Sequence, residues 1–272
     1  MVALDAGSVS GGAATRGGGG LHLAAHARLP LAAGALVPSP VAPNVVRRGE
    51  VAASLRELAR ALGIGGSPVC LLLPDGIARL ALVDVPADVT AREYARFRIA
   101  SGLPYPPEEA VIDVLALDAS RAVVAVVRRS VIEGYEALAE EAGLAQDRLD
   151  LTPLAALSGL LREPGGPGLT VDVILGDAAF CLAAHEGGAV KVLRNRRRDP
   201  GGDEPRRLVE EVQRTSVLAG DGNGPRIRVV GSGAQDLLAS WRAAGTSAEA
   251  GWHAEGAGPA VEASELAWLG AA

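Results

Sequence analysis

The reading of the fold turns on residues 79 to 117. They comprise Arg79-Leu80-Ala81-Leu82-Val83-Asp84-Val85-Pro86, a helical segment opening at Thr90, the run Gly102-Leu103-Pro104-Tyr105-Pro106-Pro107-Glu108-Glu109, and the apolar segment Val111 to Leu117 with Asp113 inside it. Leu80 and Leu82 alternate as on a strand, and Pro86 ends it because proline cannot donate to a ladder. Thr90 followed three residues later by Glu93 is a capping box, so a helix starts there; Tyr94 and Phe97 fall on its apolar side and Gly102 stops it. Pro104, Pro106 and Pro107 impose an extended connection. Val111–Leu117 and Ala122–Val127 read as two further strands.

Downstream, Ser130 and Glu133 form a second capping-box pattern. It opens a helix with Val131, Tyr135, Leu138 and Ala142 as its stripe and Gly143 past its end. Thr152 and Pro153 start a short helix with Leu154, Leu157 and Leu161 on its buried face. Glu163-Pro164-Gly165-Gly166-Pro167-Gly168 is the linker pattern. Beyond it lie strands at about 169–175, 179–185 and 189–193 and a basic, glycine-rich stretch to Glu204. Leu208, Val209, Val212 and Leu218 mark a helix, and Arg226–Val230 a strand. Gly231-Ser232-Gly233 leads into a helix with Leu237, Leu238 and Trp241, and Leu266 and Leu269 suggest a short final helix. Upstream, residues 1–6 form a strand ending at Asp5. Residues 7–20 read as a Gly/Ser-rich hairpin turn with its tip at Gly17 to Gly20, and residues 21–29 as a strand. A proline-rich loop over 30–48, a helix through Val51, Leu55, Leu58 and Leu62 closed by Gly63, and a buried strand Val69–Leu73 follow. Strands followed by helices in both halves make this a mixed α/β chain.

Composition narrows the classes. The 272 residues are 49% hydrophobic and 21% charged, which excludes wholesale disorder. A net charge of −6 argues against nucleic acid as a partner. Cys70 and Cys181, both in apolar runs, read as buried thiols of a reducing compartment rather than a disulfide framework. No run reaches the ~18 apolar residues of a membrane span, and no signal-peptide pattern opens the sequence, so the expectation is a cytoplasmic protein that meets a membrane only through a partner.

Three loops occur in a telling order: Asp5-Ala6-Gly7-Ser8 after the first strand, Asp172 in the strand opening the second half, and Gly231-Ser232-Gly233 before a late helix. This order resembles the actin-like ATPase superfamily, in which two related domains close over a nucleotide. Residues 1–170 more closely resemble the PilM family of type IV pilus assembly, related to FtsA and to the cytoplasmic region of the GspL family. The similarity is carried by 79–117, by Glu140-Glu141-Ala142-Gly143-Leu144, and by Leu151-Thr152-Pro153-Leu154-Ala155-Ala156-Leu157. The resemblance implies an actin-like (ribonuclease H-like) two-domain fold. It assigns 1–75 and 145–166 to a subdomain 1A, 76–144 to an inserted 1C (SHS2) subdomain, and 167–193 with 222–272 to a subdomain 2A. Residues 194–221 are then a remnant of subdomain 2B. It further implies a non-catalytic cytoplasmic scaffold of a pilus or type II secretion-like assembly, peripheral to a bacterial inner membrane. Its partner is a PilN-like bitopic protein docked through its N-terminal tail, with pilus assembly ATPases as further partners. Tyr94, Phe97 and Tyr105 are then either core of the 1C-like module or lining for that tail.

By the same resemblance ATP and Mg²⁺ would meet Asp5, Gly7, Ser8, Asp172, Gly231 and Gly233. The pattern departs from the family at two points. Gly12 stands where a lysine is expected, and Ile174 where a glycine follows the second aspartate, with Asp177 adding negative charge. Two lost charge-assisted bonds at ~1.5–3 kcal/mol each would weaken a micromolar site to roughly sub-millimolar or worse. The expected outcome is a degenerate site with no catalytic residue; the alternative is an atypical ATPase or sugar-kinase relative. A GspL-like module is a third reading. His22 and His26 have no ligand partner at metal spacing, and no P-loop, zincin or nucleophile-elbow motif occurs. Arg194, Arg196, Arg197, Arg198, Arg206 and Arg207 read as a solvated loop or as a contact for acidic lipid or a partner.

Overall fold

The computed structural model describes residues 1–250 apart from 18–19, 101, 163–166, 200, 202 and 221–223. The glycine tip, most of the linker and the final helix suggested by Leu266 and Leu269 therefore involve positions outside the described residues. The strands are β1 (Val2–Asp5), β2 (Ser8–Gly17), β3 (Gly20–Pro30), β4 (Pro68–Leu73), β5 (Arg79–Asp84), β6 (Ala110–Ala116) and β7 (Arg121–Arg128). They continue with β8 (Ala145–Leu151), β9 (Leu169–Leu175), β10 (Ala179–Glu186), β11 (Ala189–Arg197), β12 (Arg226–Gly231) and β13 (Glu249–Ala250). The helices are α1 (Arg48–Leu62), α2 (Ala91–Ala100), α3 (Arg129–Glu141), α4 (Thr152–Arg162), α5 (Glu204–Leu218) and α6 (Ala234–Ala243), and Asp75–Ile77 makes one 3-10 turn.

Three sheets result. The first has the order β3-β2-β1-β4-β8, antiparallel over the β1–β2–β3 meander and parallel from β1 through β4 to β8. The last, β11-β10-β9-β12-β13, repeats that plan with a β9–β10–β11 meander and parallel β12 and β13. Inserted between β4 and β8 of the first sheet, β5-β7-β6 form a small antiparallel sheet with α2 on one face. Arg121 of this sheet donates Nη1 to the Val190 carbonyl at 2.8 Å, tying it to the second half.

Side-chain alternation along the strands fixes the layers. In β9, Val171, Val173 and Leu175 join Leu208, Val212, Leu237 and Trp241 under α5 and α6. Ile174, on the opposite face, joins Cys181, Ala183, Leu157 and Leu160 in the core shared with the first half. Helix α4 lies between the two large sheets, since its Ala155 packs on Ala3 and Leu72 of the first while Leu160 meets the second. Burying a leucine-sized side chain contributes about 1.5–3 kcal/mol, so this shared core holds the halves as one body.

Several expectations are corrected. Residues 8–17 are strand rather than turn, because Gly11 lets α1 lie against β2: a Cβ there would meet Leu62 at 2.7 Å and the Met1 carbonyl at 2.9 Å. Helix α3 opens at Arg129 after extended Arg128, with no side-chain cap, so Ser130 lies inside the helix and its capping box is not made. The capping box at α2 is made, with the Glu93 amide donating to Thr90 Oγ1 and the Thr90 amide to Glu93 Oε2, both at 3.3 Å. Residues 145–151 form strand β8, which no apolar alternation marks, and β11 runs four residues past Leu193. Cys181 is buried, whereas Cys70 is half-buried. Helix α2 buries Ala95 and Ile99 against Val124 and Val126, while Tyr94 is half-buried and Phe97 is 83% exposed, so these two aromatics are not the module's core.

Candidate functional site

The carboxyl ends of β1, β4, β9 and β12 converge on one crevice, the usual ligand position where parallel strands end. Asp5, Ser8, Arg28, Asp75, Thr152, Ile174, Asp177 and Ser232 line it, and its free volume is about 20 Å³, room for roughly one water molecule. β1 ends in the tight turn Asp5-Ala6-Gly7-Ser8, closed by pairing of Asp5 with Ser8. β9 ends in a second turn, Gly176-Asp177-Ala178-Ala179, closed by the Gly176 amide on the Ala179 carbonyl at 2.9 Å.

The two turns face each other and exchange hydrogen bonds. The Gly7 amide donates to Asp177 Oδ2 at 3.0 Å, and the Asp177 amide donates to Asp5 Oδ2 at 3.1 Å. Ser232 Oγ donates to Asp177 Oδ1 at 2.6 Å. Glycine eases the close approach, since a Cβ at Gly7 would come 3.1 Å from Asp177 Oδ2 and one at Gly176 would come 3.0 Å from Asp75 Oδ1, both tighter than ordinary van der Waals contact. Arg198 braces the far side, its Nη1 reaching the Gly176 carbonyl at 2.8 Å and the Ser232 carbonyl at 2.7 Å while its Nε pairs with Glu204 at 2.8 Å.

The crevice is acidic. Burial pushes the Asp75 carboxyl up to about 8, with the nearby Asp5 charge adding to it. Burial also pushes Asp5 up to about 6, reinforced by Asp177 and opposed by the amides of Ala6 and Asp177 and by Arg28. Arg28, on β3 opposite Ser10, adds a cation to the crevice.

Asp5 and Ser8 line this crevice, and Gly7 lies in the turn between them. Gly231 and Gly233 flank it with positive φ of 105° and 75°, conformations glycine adopts without strain, and they aim Ser232 inward. Asp172 is a correction. It lies mid-strand on β9, fully buried, two residues short of the Ile174 that reaches the crevice, and it is neutralised by Arg228 with Nε–Oδ1 at 2.6 Å. Its place is structural, and it faces neither the turn nor open space. Gly12 also lies away from the turn, in β2, where its amide and carbonyl bond the first residue. Asp177 stands beside the second loop as the sequence suggests, whereas no sequence pattern singles out Ser232 or Arg28; a Pro-Asp-Gly turn after a strand parallel to β1 is the signal for Asp75.

Tyr94, Phe97 and Tyr105 are outside the crevice, on or beside α2. Tyr105 stacks under Arg128, whose guanidinium lies 5.7 Å from the ring centre. The arginine run is mostly strand and helix, with Arg198 in the connection between β11 and α5, and much of it is paired: Arg194 with Glu211, Arg198 with Glu204, Arg206 with Asp203 and Glu210, and Arg207 with Asp199. Among the described residues no cluster of three metal-ligating side chains occurs, and no helix is long and apolar enough to cross a membrane.

Against solved structures, the chain is similar to a structure titled as the PilM-PilN type IV pilus biogenesis complex. The match has a TM-score of 0.71 at 19% identity and covers 92% of this chain and 86% of that one. A protein of unknown function from Bacteroides thetaiotaomicron, described as having an actin-like ATPase fold, matches with a TM-score of 0.59 at 11% identity, over 98% of this chain and 93% of that one. The chain has the actin-like fold. The cytoplasmic domain of EpsL, an inner-membrane component of the type II secretion system of Vibrio cholerae, shares it, with a TM-score of 0.58 at 11% identity over 99% of this chain and 92% of that one. No family model matches the sequence, and no curated protein matches it. Among the described residues, α5 is the one helix between β11 and β12.

Proposed function

We propose that this chain is a non-catalytic actin-like scaffold of a type IV pilus or type II secretion-like assembly, working at the cytoplasmic side of the inner membrane. The observation that carries this reading is the occupied crevice. The amide of Gly7 and the hydroxyl of Ser232, donors a phosphate would need, are engaged by Asp177, and Asp5 and Asp75 add two more carboxyl groups where phosphate charge would sit. Arg28 is the one cation among the lining residues and faces Asp5 and Asp177, while Asp75, pushed up to about 8, keeps its proton near neutral pH; with the phosphate donors already taken, the residues present do not fit ATP with Mg²⁺. Injecting Mg-ATP into the purified protein in a calorimeter is expected to give no heat of binding up to millimolar nucleotide; micromolar affinity would return the chain to the ATPase reading.

The partner side of the proposal rests on the similarity to the PilM-PilN complex. Residues 76–144 are read as the 1C-like module and the two large sheets as 1A-like and 2A-like units, with α5 standing in for subdomain 2B. The module takes the cytoplasmic N-terminal tail of a PilN-like bitopic protein near Tyr94, Phe97 and Tyr105, and pilus assembly ATPases join the same complex. A labelled peptide of such a tail, taken from the membrane protein encoded beside this chain, is expected to bind in a fluorescence-anisotropy titration. No saturable binding by any neighbouring tail would defeat this assignment.

A further inference from the structure

We propose that Asp177 is a tethered anion which occupies the phosphate position of the crevice and latches the two halves of the molecule shut without nucleotide. The inference deepens the nucleotide-free reading above and rests on it.

Four observations carry it. First, the Asp177 carboxylate accepts from both halves: from the Gly7 amide of the first at 3.0 Å and from the Ser232 hydroxyl of the second at 2.6 Å. Second, the turn that presents Asp177 returns a bond, with its amide donating to Asp5 at 3.1 Å, so the two turns are joined reciprocally. Backbone amides at tight turns are the groups that cradle phosphates, and a carboxylate satisfies the same donors with similar geometry. Third, Gly7 keeps the turns in close approach, since a Cβ there would stand 3.1 Å from Asp177 Oδ2, tighter than ordinary van der Waals contact. Fourth, Arg198 grips the carbonyls on either side of the latch, Gly176 and Ser232, and is itself held by Glu204. The Asp177 turn is thereby pre-set against the Gly7 turn, so little ordering remains to be done on closure. A ligand phosphate bridges two halves only while it is bound; a carboxylate that is part of the chain does so permanently, which suits a scaffold that must present one shape.

The test places one spin label in each half, at Glu57→Cys on α1 and Ala239→Cys on α6, both exposed positions, with Cys70→Ser to remove the accessible native thiol. Without nucleotide, the labelled parent is expected to give a single narrow distance distribution that excess Mg-ATP does not change. Asp177→Ala is expected to broaden it toward longer distances and to speed exchange of the Gly7 amide at least tenfold. Asp177→Asn, which keeps the shape and one acceptor, and Ser232→Ala, which removes one donor, should each give an intermediate broadening. They serve as the readout if Asp177→Ala fails to fold. A distribution unchanged by all three substitutions overturns the latch. So does a parent that is already broad and narrows on adding Mg-ATP. Micromolar Mg-ATP binding by a parent that stays narrow and unchanged in shape would defeat the non-nucleotide reading while leaving closure by Asp177 intact.

Discussion

Arg228 stands directly opposite Asp172 across the parallel β9–β12 pair and closes a two-pronged ion pair on it, Nε to Oδ1 at 2.6 Å and Nη2 to Oδ2 at 2.8 Å. Both side chains are at most 2% exposed. His185 on β10 brings Nε2 within 3.1 Å of Asp172 Oδ2, and Arg228 Nη2 reaches the Leu160 carbonyl of α4 at 3.3 Å. The pair therefore ties three strands to the helix between the sheets. Removing one member of a buried pair leaves the other charge unpaired, so Asp172→Ala is expected to destabilise by about 3–5 kcal/mol. Replacing both, as Asp172→Leu with Arg228→Met, should come close to neutral. Urea denaturation midpoints of the two variants decide it. Equal losses would mean that the ion pair itself is required.

The acidic crevice gives the stability an unusual pH dependence. Asp5 and Asp75 titrate near 6 and 8 in the folded protein, against about 4 when unfolded. Between those values the folded state holds protons that the unfolded chain has released. The contribution of these groups is thus full below about pH 4 and is lost as pH rises through 6 for Asp5 and through 8 for Asp75. The groups facing them are Asp177 and Arg28 at Asp5, and Asp5 and Asp177 at Asp75. Thermal melts between pH 5.5 and 8.5 are expected to show Tm falling with rising pH. Asp75→Asn, which cannot ionise, should flatten the upper part of that slope. A slope left unchanged in Asp75→Asn would remove Asp75 as its source.

These two sites also show what the chain made legible. The Asp5-Ala6-Gly7-Ser8 turn could be read because a tight turn at a strand end demands a small, flexible residue. Asp172 could not be placed, because an acid in an apolar strand looks the same whether it ends in a loop or in the core. Its partner lies 56 residues away, and only the fold brings the two together. The latch was hidden for the same reason: Asp177 lies 170 residues from Gly7. Strand β8, Ala145-Gln146-Asp147-Arg148-Leu149-Asp150-Leu151, escaped notice because it is a polar edge strand held by pairing with β4 rather than by apolar alternation.

A second buried polar contact anchors the proline-rich loop that precedes α1. Asn44 is 3% exposed, and its side chain makes four bonds. Its Oδ1 accepts from the Ser39 amide at 3.0 Å and from the Tyr135 hydroxyl at 3.1 Å, and its Nδ2 donates to the carbonyls of Ser39 and Ala42. Tyr135→Phe removes one bond and leaves Asn44 Oδ1 satisfied by Ser39, for an expected loss of about 1 kcal/mol. Asn44→Ala strands the Ser39 amide and the buried tyrosine hydroxyl, and should cost about 2–3 kcal/mol. Chemical denaturation of both variants tests the order; a larger loss for Tyr135→Phe would show that the ring hydroxyl, rather than the loop, is the critical group.

The outer face of α2 separates packing from docking. Ala95 and Ile99 share the buried side by their four-residue spacing, whereas Tyr94 and Phe97, three apart, form a competing stripe that the sheet does not cover. Phe97 stands between Arg96 and Arg98, both exposed. Ile99→Ala removes buried volume and is expected to cost about 2–5 kcal/mol. Phe97→Ala removes almost no buried surface, so its stability should stay within about 0.5 kcal/mol of the parent. If Phe97 anchors the tail of a bitopic partner, the same substitution should weaken peptide binding at least tenfold, as truncation of an aromatic interface anchor does. The two readouts are independent: a thermal melt reports packing, and the anisotropy titration reports docking. Unchanged binding with unchanged stability would move the docking surface off this helix, to the side of the module where Tyr105 stacks under Arg128.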